Sequence, residues 1–119
     1  MYKGDSKMDT IQQINCSFPN ESTLYKAYMP FLKGGGLFIR TNTNYLFGSI
    51  VKLSIKLMDE DELHVVEGKV IWITPKGAQG NKVPGIGVQF IGENSRYVCN
   101  RIETYLAGML KSSQLTDTM

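Results

Sequence analysis

Residue types that build reactive sites are scarce in this sequence. It holds one histidine, His64, and two cysteines, Cys16 and Cys99, among 119 residues. Neither cysteine lies in a C-x-x-C motif or beside a histidine, so the sequence predicts no metal site. We interpret both as reduced, packed thiols, and a disulfide between them stays open. His64 begins a strand without a serine, cysteine or carboxylate constellation, so we expect a surface or edge histidine and no enzyme.

Strong net charge and long apolar runs are also lacking. The formal net charge is +2, which is too small to predict nucleic acid or an anionic membrane as the partner. No apolar run approaches the roughly 18 residues that would predict a membrane span. The segment 1–10 contains lysines but no apolar region of the kind found in a secretory signal. We therefore expect a cytoplasmic protein that does not insert directly into the membrane.

The composition that is present is typical of a single globular domain. Hydrophobic residues make up 42% of the chain and charged residues 20%, which is ordinary for a soluble fold. We predict a flexible N-terminus over 1–9, one domain over 10–111, and a disordered polar tail over 112–119.

Periodic apolar residues predict strands flanked by two helices. The strand patterns cover 11–18, 37–41, 50–57, 63–74 and 85–91. Helical patterns cover 21–29, which Pro30 ends, and 95–111. Gly68, inside the fourth strand pattern, suggests a bulge or a bend. Short antiparallel strands need closure or a covering helix, so we predict a mainly β fold: a small antiparallel split β-barrel with a short early helix and a C-terminal amphipathic helix.

A run of three glycines, Gly34 to Gly36, precedes the second strand. Glycines are costly to order, so such a run marks backbone that takes positive φ or that a neighbour must approach closely. Two interpretations stay open, a sharp turn into the barrel or a platform for a ligand or partner. A strand follows the run, and G-x-G-x-x-G and G-K-[ST] patterns are missing, so it is not a nucleotide fingerprint of those types.

The charged segment 58–62 connects the third and fourth predicted strands. Its carboxylates could hold a cation, but it lacks the D-x-D-x-D-G spacing of a calcium loop. We therefore favour a solvated hairpin turn.

Five motifs stand out along the sequence, at 27–39, 68–72, 75–81, 85–90 and 102–109. In this order they resemble the motifs of the PilZ-domain family. The sequence is most similar to the stand-alone branch of the family that acts in type IV pilus assembly without binding cyclic di-GMP. The resemblance implies a small split β-barrel followed by a helix, in agreement with the strand pattern.

Many members of that family bind cyclic di-GMP, through an R-x-x-x-R segment and a [D/N]-x-[S/A]-x-x-G motif. If Gly36 is the glycine of the second motif, Phe31 takes the acidic or amide position and Lys33 the small hydroxyl position. Phenylalanine cannot accept a hydrogen bond from a guanine edge. The arginine pair is missing, since no arginine precedes Arg40. We therefore expect no binding of the nucleotide, and a direct cyclic di-GMP receptor that uses lysines is the alternative.

Phe31 places an apolar side chain where nucleotide-binding members carry a polar one, which suggests a protein-binding surface. The resemblance implies a non-enzymatic, monomeric adaptor in type IV pilus biogenesis and twitching motility, recruited to the pilus machinery at the inner membrane. The implied partners are the pilus extension ATPase and a cyclic di-GMP receptor protein with degenerate GGDEF and EAL domains. Aromatic and methionine side chains are common interface anchors. We predict contacts at Tyr25, Tyr28, Met29, Phe31 and Leu32, with Trp72 and Pro75 as weaker candidates.

Two of these residues have a competing interpretation. Tyr25 is either exposed on a short helix or lies at the core edge with its ring buried and its hydroxyl in water. Trp72 lies inside a strand pattern, which favours a position in the core.

Overall fold

The computed structural model describes residues 11–75 and 83–118, with side chains up to Ala107. The predicted flexible segment 1–9 and most of the motif at 75–81 lie outside the described residues. The elements in chain order are β1 (Gln12–Phe18), α1 (Glu21–Ala27), β2 (Gly36–Arg40), β3 (Ile50–Leu57), β4 (His64–Thr74), β5 (Gly85–Ile91) and α2 (Ser95–Thr118).

The strands form one curled half-barrel sheet in the order β1-β3-β4-β5-β2, which confirms the predicted fold class. The pairs β3–β4, β4–β5 and β5–β2 are antiparallel. β1 pairs with β3 in parallel, so the prediction of uniformly antiparallel strands is wrong for this pair. Parallel neighbours need a crossover of a dozen residues or more, and α1 and β2 supply that length here.

A single apolar core lies on one side of the sheet, which we call the core face. β4 and β5 contribute Val66, Val70 and Val88 to it, and α2 contributes Ile102 and Leu106, all nearly or fully buried. The 3–4 spacing of the apolar residues in α2 predicted this packing. Burying one such side chain stabilises the fold by about 1.5–3 kcal/mol.

The bulge predicted at Gly68 lies further along β4. The register shifts between Val70, which pairs with Val88, and Trp72, which pairs with Gly87. One extra residue reverses the side on which the following side chains lie. Trp72 therefore lies on the side opposite the core, which we call the outer face. Gly68 instead allows close approach of β5, since a Cβ there would lie 2.2 Å from Cγ1 of Val88.

The helices begin where the sequence predicts and end elsewhere. The Asn20 side chain accepts a hydrogen bond of 2.9 Å from the backbone N–H of Thr23 and is therefore the N-cap of α1. α1 ends at Ala27, before the predicted end at residue 29, because a residue that precedes proline disfavours helical backbone. α2 extends past the predicted end near residue 111 to Thr118. The division of the chain at residue 112 stays a prediction.

Among the described residues, neither helix combines the length and the apolar character that crossing a membrane requires.

Candidate functional site

Two successive tight turns connect α1 to β2. In the first, the backbone N–H of Leu32 donates to the carbonyl of Met29 at 3.3 Å, with Pro30 and Phe31 between them. Proline is favoured at the first central position of such a turn because its φ is already fixed. The turn leaves Phe31 76% exposed, the highest exposure among the predicted contact residues with a stated value.

The second turn uses the glycine run. The backbone N–H of Gly35 donates to the carbonyl of Leu32 at 2.8 Å, and Gly34 has a φ of +80°. A type II turn places positive φ at that position and so requires glycine there. Gly35, with a φ of +83°, continues the left-handed backbone, which confirms the prediction of positive φ. The glycines therefore turn the chain sharply into the sheet.

Hydrogen bonds to β5 hold this loop in place. The backbone N–H of Phe90 donates to the carbonyl of Gly35 at 2.9 Å. The Gln89 side-chain amide donates to the carbonyl of Lys33 at 2.9 Å. The Lys33 side chain is exposed, whereas Gly36 is buried at the start of β2. The positions compared with the nucleotide motif thus lie on a loop that is hydrogen-bonded to β5.

On its outer face, β5 has glycine at two alternate positions, Gly85 and Gly87, and so contributes no side chain there. A Cβ on Gly87 would lie 2.9 Å from Cβ of Trp72 and 3.3 Å from Sδ of Met29. These two side chains therefore pack directly over the β5 backbone. Trp72 is 55% exposed, so the interpretation of Trp72 as a core residue is wrong, and the bulge in β4 is the cause.

Two more apolar side chains cover this face. The ring of Phe38 lies over Gly85, where a Cβ would be 2.6 Å from Cζ of the ring. Leu32 lies against Gly36, where a Cβ would be 2.7 Å from its Cδ1. Phe31 lies between Met29 and Leu32 in the first turn, and we group it with these side chains. We call the group the outer patch, which consists of Met29, Phe31, Leu32, Phe38 and Trp72.

Sequence reasoning missed Phe38 as a member of this patch. Gly85 and Gly87 are spaced by two residues in a strand, so both lie on the same side of it. Alternating glycines of this kind mark a close approach by neighbouring groups and could have indicated the covered strand.

Tyr28 is not part of the outer patch, although the sequence predicted it as a contact. It is 7% exposed and forms an isolated β-bridge with Leu37, because α1 has already ended. Its hydroxyl donates to Oε2 of Glu103 at 2.5 Å and lies 3.1 Å from Sγ of Cys99. Burial, followed by these hydrogen bonds, raises the pKa of Tyr28 far above its ordinary value. This burial argues against Tyr28 as a contact in this state, and its predicted role stays a prediction.

The other predicted contacts differ in position. Tyr25 is 39% exposed on α1, in agreement with the exposed alternative. Pro75 is exposed directly after β4, three residues beyond Trp72. Whether any of these residues binds a partner stays a prediction.

A polar cluster around Glu60 joins the β3–β4 turn to α2. Nε2 of His64 lies 2.7 Å from Oε1 of Glu60, and Nη2 of Arg101 donates to its Oε2 at 2.5 Å. The Tyr105 hydroxyl also donates to Oε2. His64 is 3% exposed, so the predicted surface or edge histidine is wrong: its ring lies on the core face, where Glu60 satisfies it. The turn at 58–62 is likewise not simply solvated.

The same cluster sets the protonation of Glu60. Hydrogen bonds from Tyr105 and His64, with the charge of Arg101, lower the pKa of Glu60 from 4.5 to about 2. The pKa of Tyr105 is raised, mainly by its hydrogen bond to the Glu60 carboxylate. The ionised carboxylate of Glu60 thus links the β3–β4 turn to α2.

Cys16 and Cys99 are both free thiols. Among the described residues, no group of three or more histidine, cysteine, aspartate or glutamate side chains could hold a metal ion.

The half-barrel, the glycine turn and the following helix define a small β domain with an exposed apolar patch. The model of a family described as the PilZ domain matches residues 10–108. The chain therefore belongs to the PilZ-domain family, whose members take part in cyclic di-GMP-related signalling as receptors or adaptors and are generally non-enzymatic. A comparison with curated proteins found no match.

Proposed function

We propose that this protein is a non-enzymatic adaptor that transmits cyclic di-GMP signals through protein contacts and does not itself bind the nucleotide. The observation that carries this proposal is the exposed ring of Phe31, at the loop position where many family members carry an acidic or amide side chain. Exposure of 76% leaves that ring unpartnered within the described fold.

The chemistry of the loop argues against a guanine site. Phe31 offers no acceptor for the N–H groups of a guanine edge. The exposed Lys33 supplies a compact charge on a flexible stem and lacks the planar fork with which arginine grips phosphate and stacks on a base. The carbonyls of Lys33 and Gly35 already accept hydrogen bonds from β5. These features together favour a protein ligand.

The outer patch has the composition of an interface. Phe31 and Trp72 are 76% and 55% exposed, and Met29 and Leu32 lie partly buried beside them. Aromatic rings contribute large apolar area for little loss of conformational freedom. Fully burying a side chain such as Phe31 is worth about 1.5–3 kcal/mol, which is enough for that ring to be an anchor.

We propose type IV pilus biogenesis and twitching motility as the setting. The support is the similarity of the segment 27–39 and its companion motifs to the stand-alone branch of the family. In this proposal the protein is a cytoplasmic monomer, recruited to the pilus machinery at the inner membrane. Its partners are the pilus extension ATPase and a receptor protein with degenerate GGDEF and EAL domains. In this proposal the receptor protein binds the nucleotide.

Co-purification with the extension ATPase tests the adaptor role. We expect the wild-type protein to retain the ATPase, and Phe31→Ala and Trp72→Ala to retain much less. Leu63→Ala is a matched control, because Leu63 is also 52% exposed but lies next to the opposite end of β4. Equal retention by all three variants would remove the outer patch from the interface, and no retention by the wild type would remove the proposed partner.

Calorimetry with cyclic di-GMP separates the adaptor from the alternative, a direct receptor. We expect no heat of binding at micromolar protein and nucleotide. Binding with a micromolar or lower dissociation constant would establish the receptor alternative, whatever the outcome with the ATPase.

A further inference from the structure

The outer edge of β1 lacks the features that normally protect an edge strand. β1 has the sequence QQINCSF, with no charged residue, proline or glycine over 7 residues. Among the described residues it pairs only with β3, and none of them pairs with the backbone groups of its other edge. Proteins usually blunt such edges with lysine, proline, bulges or short length. A long, uncharged edge is a template on which another strand can form.

β2, at the opposite end of the sheet, is protected in part. The backbone N–H of Met29 donates to the carbonyl of Gly36 at 2.9 Å, and Tyr28 bridges Leu37. Only the segment from Phe38 onward is free of these contacts. The two ends of the sheet therefore differ, and β1 offers the longer free edge.

A cleft of about 530 Å³ lies where the two edges face each other. One wall is the β1 segment Asn15–Phe18, and the other contains Phe38, Ile39 and Arg40 of β2. Residues of α1, including Thr23 and Lys26, complete the lining. The unpaired backbone edge thus borders a space with room for additional chain.

Among the residues that the structure describes, the charged side chains that line this cleft are all positive. Lys26 and Arg40 line it, no carboxylate is among its lining residues, and neither cation forms a salt bridge within the described parts of the chain. A smaller hollow also borders Asn15–Ser17, and Lys56 is the one charged side chain among its described lining residues. Burial raises the pKa of Cys16 to about 12, so this thiol adds no negative charge. The complement of such a cleft is an acidic ligand.

We propose that the edge of β1 and this cleft accept an extended, acidic segment of a partner protein as an additional strand. Main-chain hydrogen bonds to β1 provide the affinity, and Lys26 and Arg40 select segments that carry carboxylates. This site shares Phe38 with the outer patch, but β1, Lys26 and Arg40 belong to the cleft alone. The proposal holds whether or not the extension ATPase is a partner.

Selection from a displayed library of random twelve-residue peptides tests the proposal with defined probes. The wild-type protein should enrich peptides that carry several Asp or Glu residues and few Lys or Arg residues. The best peptide, labelled for fluorescence anisotropy, should bind at least tenfold more weakly to a Lys26→Glu/Arg40→Glu variant. Trp72→Ala should leave its binding unchanged. Hydrogen exchange at alternate amides of β1 should slow when the peptide is bound, because strand pairing protects those groups.

Other outcomes overturn the proposal. They are a failure to enrich peptides, enrichment without acidic residues, binding that survives charge reversal, or protection that does not include β1. N-methylation of alternate peptide bonds in the best peptide should abolish binding, and full retention of affinity would show that no strand is added. Dimerisation of the wild-type protein that charge reversal removes would assign the cleft to a second copy. Circular dichroism of each variant establishes that loss of binding is not loss of the fold.

Discussion

The core face and the outer face of the β4–β5 pair place apolar residues in opposite ways. On the core face, Val70 and Val88 belong to the same apolar core as Ile102 of α2, and all three are fully buried. On the outer face, Trp72 lies over Gly87 and remains 55% exposed. Folding buries the apolar surface of the core face, whereas part of the apolar surface of the outer face remains exposed to solvent. An apolar residue that folding leaves exposed on a firmly held loop or strand is available to a partner.

The largest expected difference between the faces concerns thermodynamic stability. Ile102→Ala should lower the free energy of unfolding by about 2–5 kcal/mol, because it opens a cavity in the core. Trp72→Ala should lower it by less, by about 1–3 kcal/mol, since about half of this residue is already in water. Urea denaturation measures both losses. It is monitored by far-UV circular dichroism, because that signal does not depend on Trp72. Similar losses in the two variants would show that the outer face also contributes to the core.

The glycine turn is the next most sensitive region. Gly35→Ala should cost about 1–3 kcal/mol, because its φ is unfavourable for alanine and the added Cβ would overpack the interior. The clashing group is Sγ of Cys99, 2.9 Å from the position of that Cβ. Gly48→Ala is the matched control, with a φ of +89° and no atom within 4 Å of its Cβ. It should show the backbone cost alone. A smaller loss for Gly35→Ala than for the control would contradict the packing described here.

The Glu60 cluster predicts a pH dependence of stability. Its folded pKa of about 2 lies below the ordinary value of 4.5, so its contribution is complete above about pH 4.5 and is lost as the pH falls toward 2. We expect a contribution of about 1 kcal/mol, because the cluster is partly solvated. Denaturation midpoints between pH 6 and pH 2.5 measure it. Glu60→Gln should flatten the profile in this range, and an unchanged profile would remove Glu60 as its source.

The smallest expected effect on stability belongs to Phe31. Phe31→Ala should change the free energy of unfolding by no more than about 0.5 kcal/mol, as for other exposed positions. The same variant should lose partner binding, as proposed above. The two measurements together separate a binding role from a folding role, and a large fall in the unfolding midpoint would show that the ring supports the turn.

Local patterns were sufficient to predict the secondary structure and the core. Alternation identified β3 and β5 with their observed bounds, and the apolar spacing in α2 identified its buried side. The parallel pairing of β1 was not predictable in this way, because alternation within one strand contains no information about its neighbour. The same limit applies to His64, whose burial depends on Glu60 and on α2.

The candidate site could be predicted only in part. The turns around Phe31 follow from Pro30 and the glycines, whose backbone preferences are local. Trp72 could not be placed, because one bulged residue in β4 decides which face it occupies. The burial of Tyr28 depends on distant partners, Cys99 and Glu103 in α2, which the local pattern does not contain.

Hydrogen exchange measured by mass spectrometry, with the extension ATPase or with cyclic di-GMP added, tests the central claim most directly. We predict that the ATPase slows exchange in 29–38 and in the part of β4 around Trp72, and that the nucleotide changes neither segment. Slowed exchange in those segments on addition of the nucleotide, or protection by the ATPase confined to α2, would contradict the assignment of the outer patch to a protein partner.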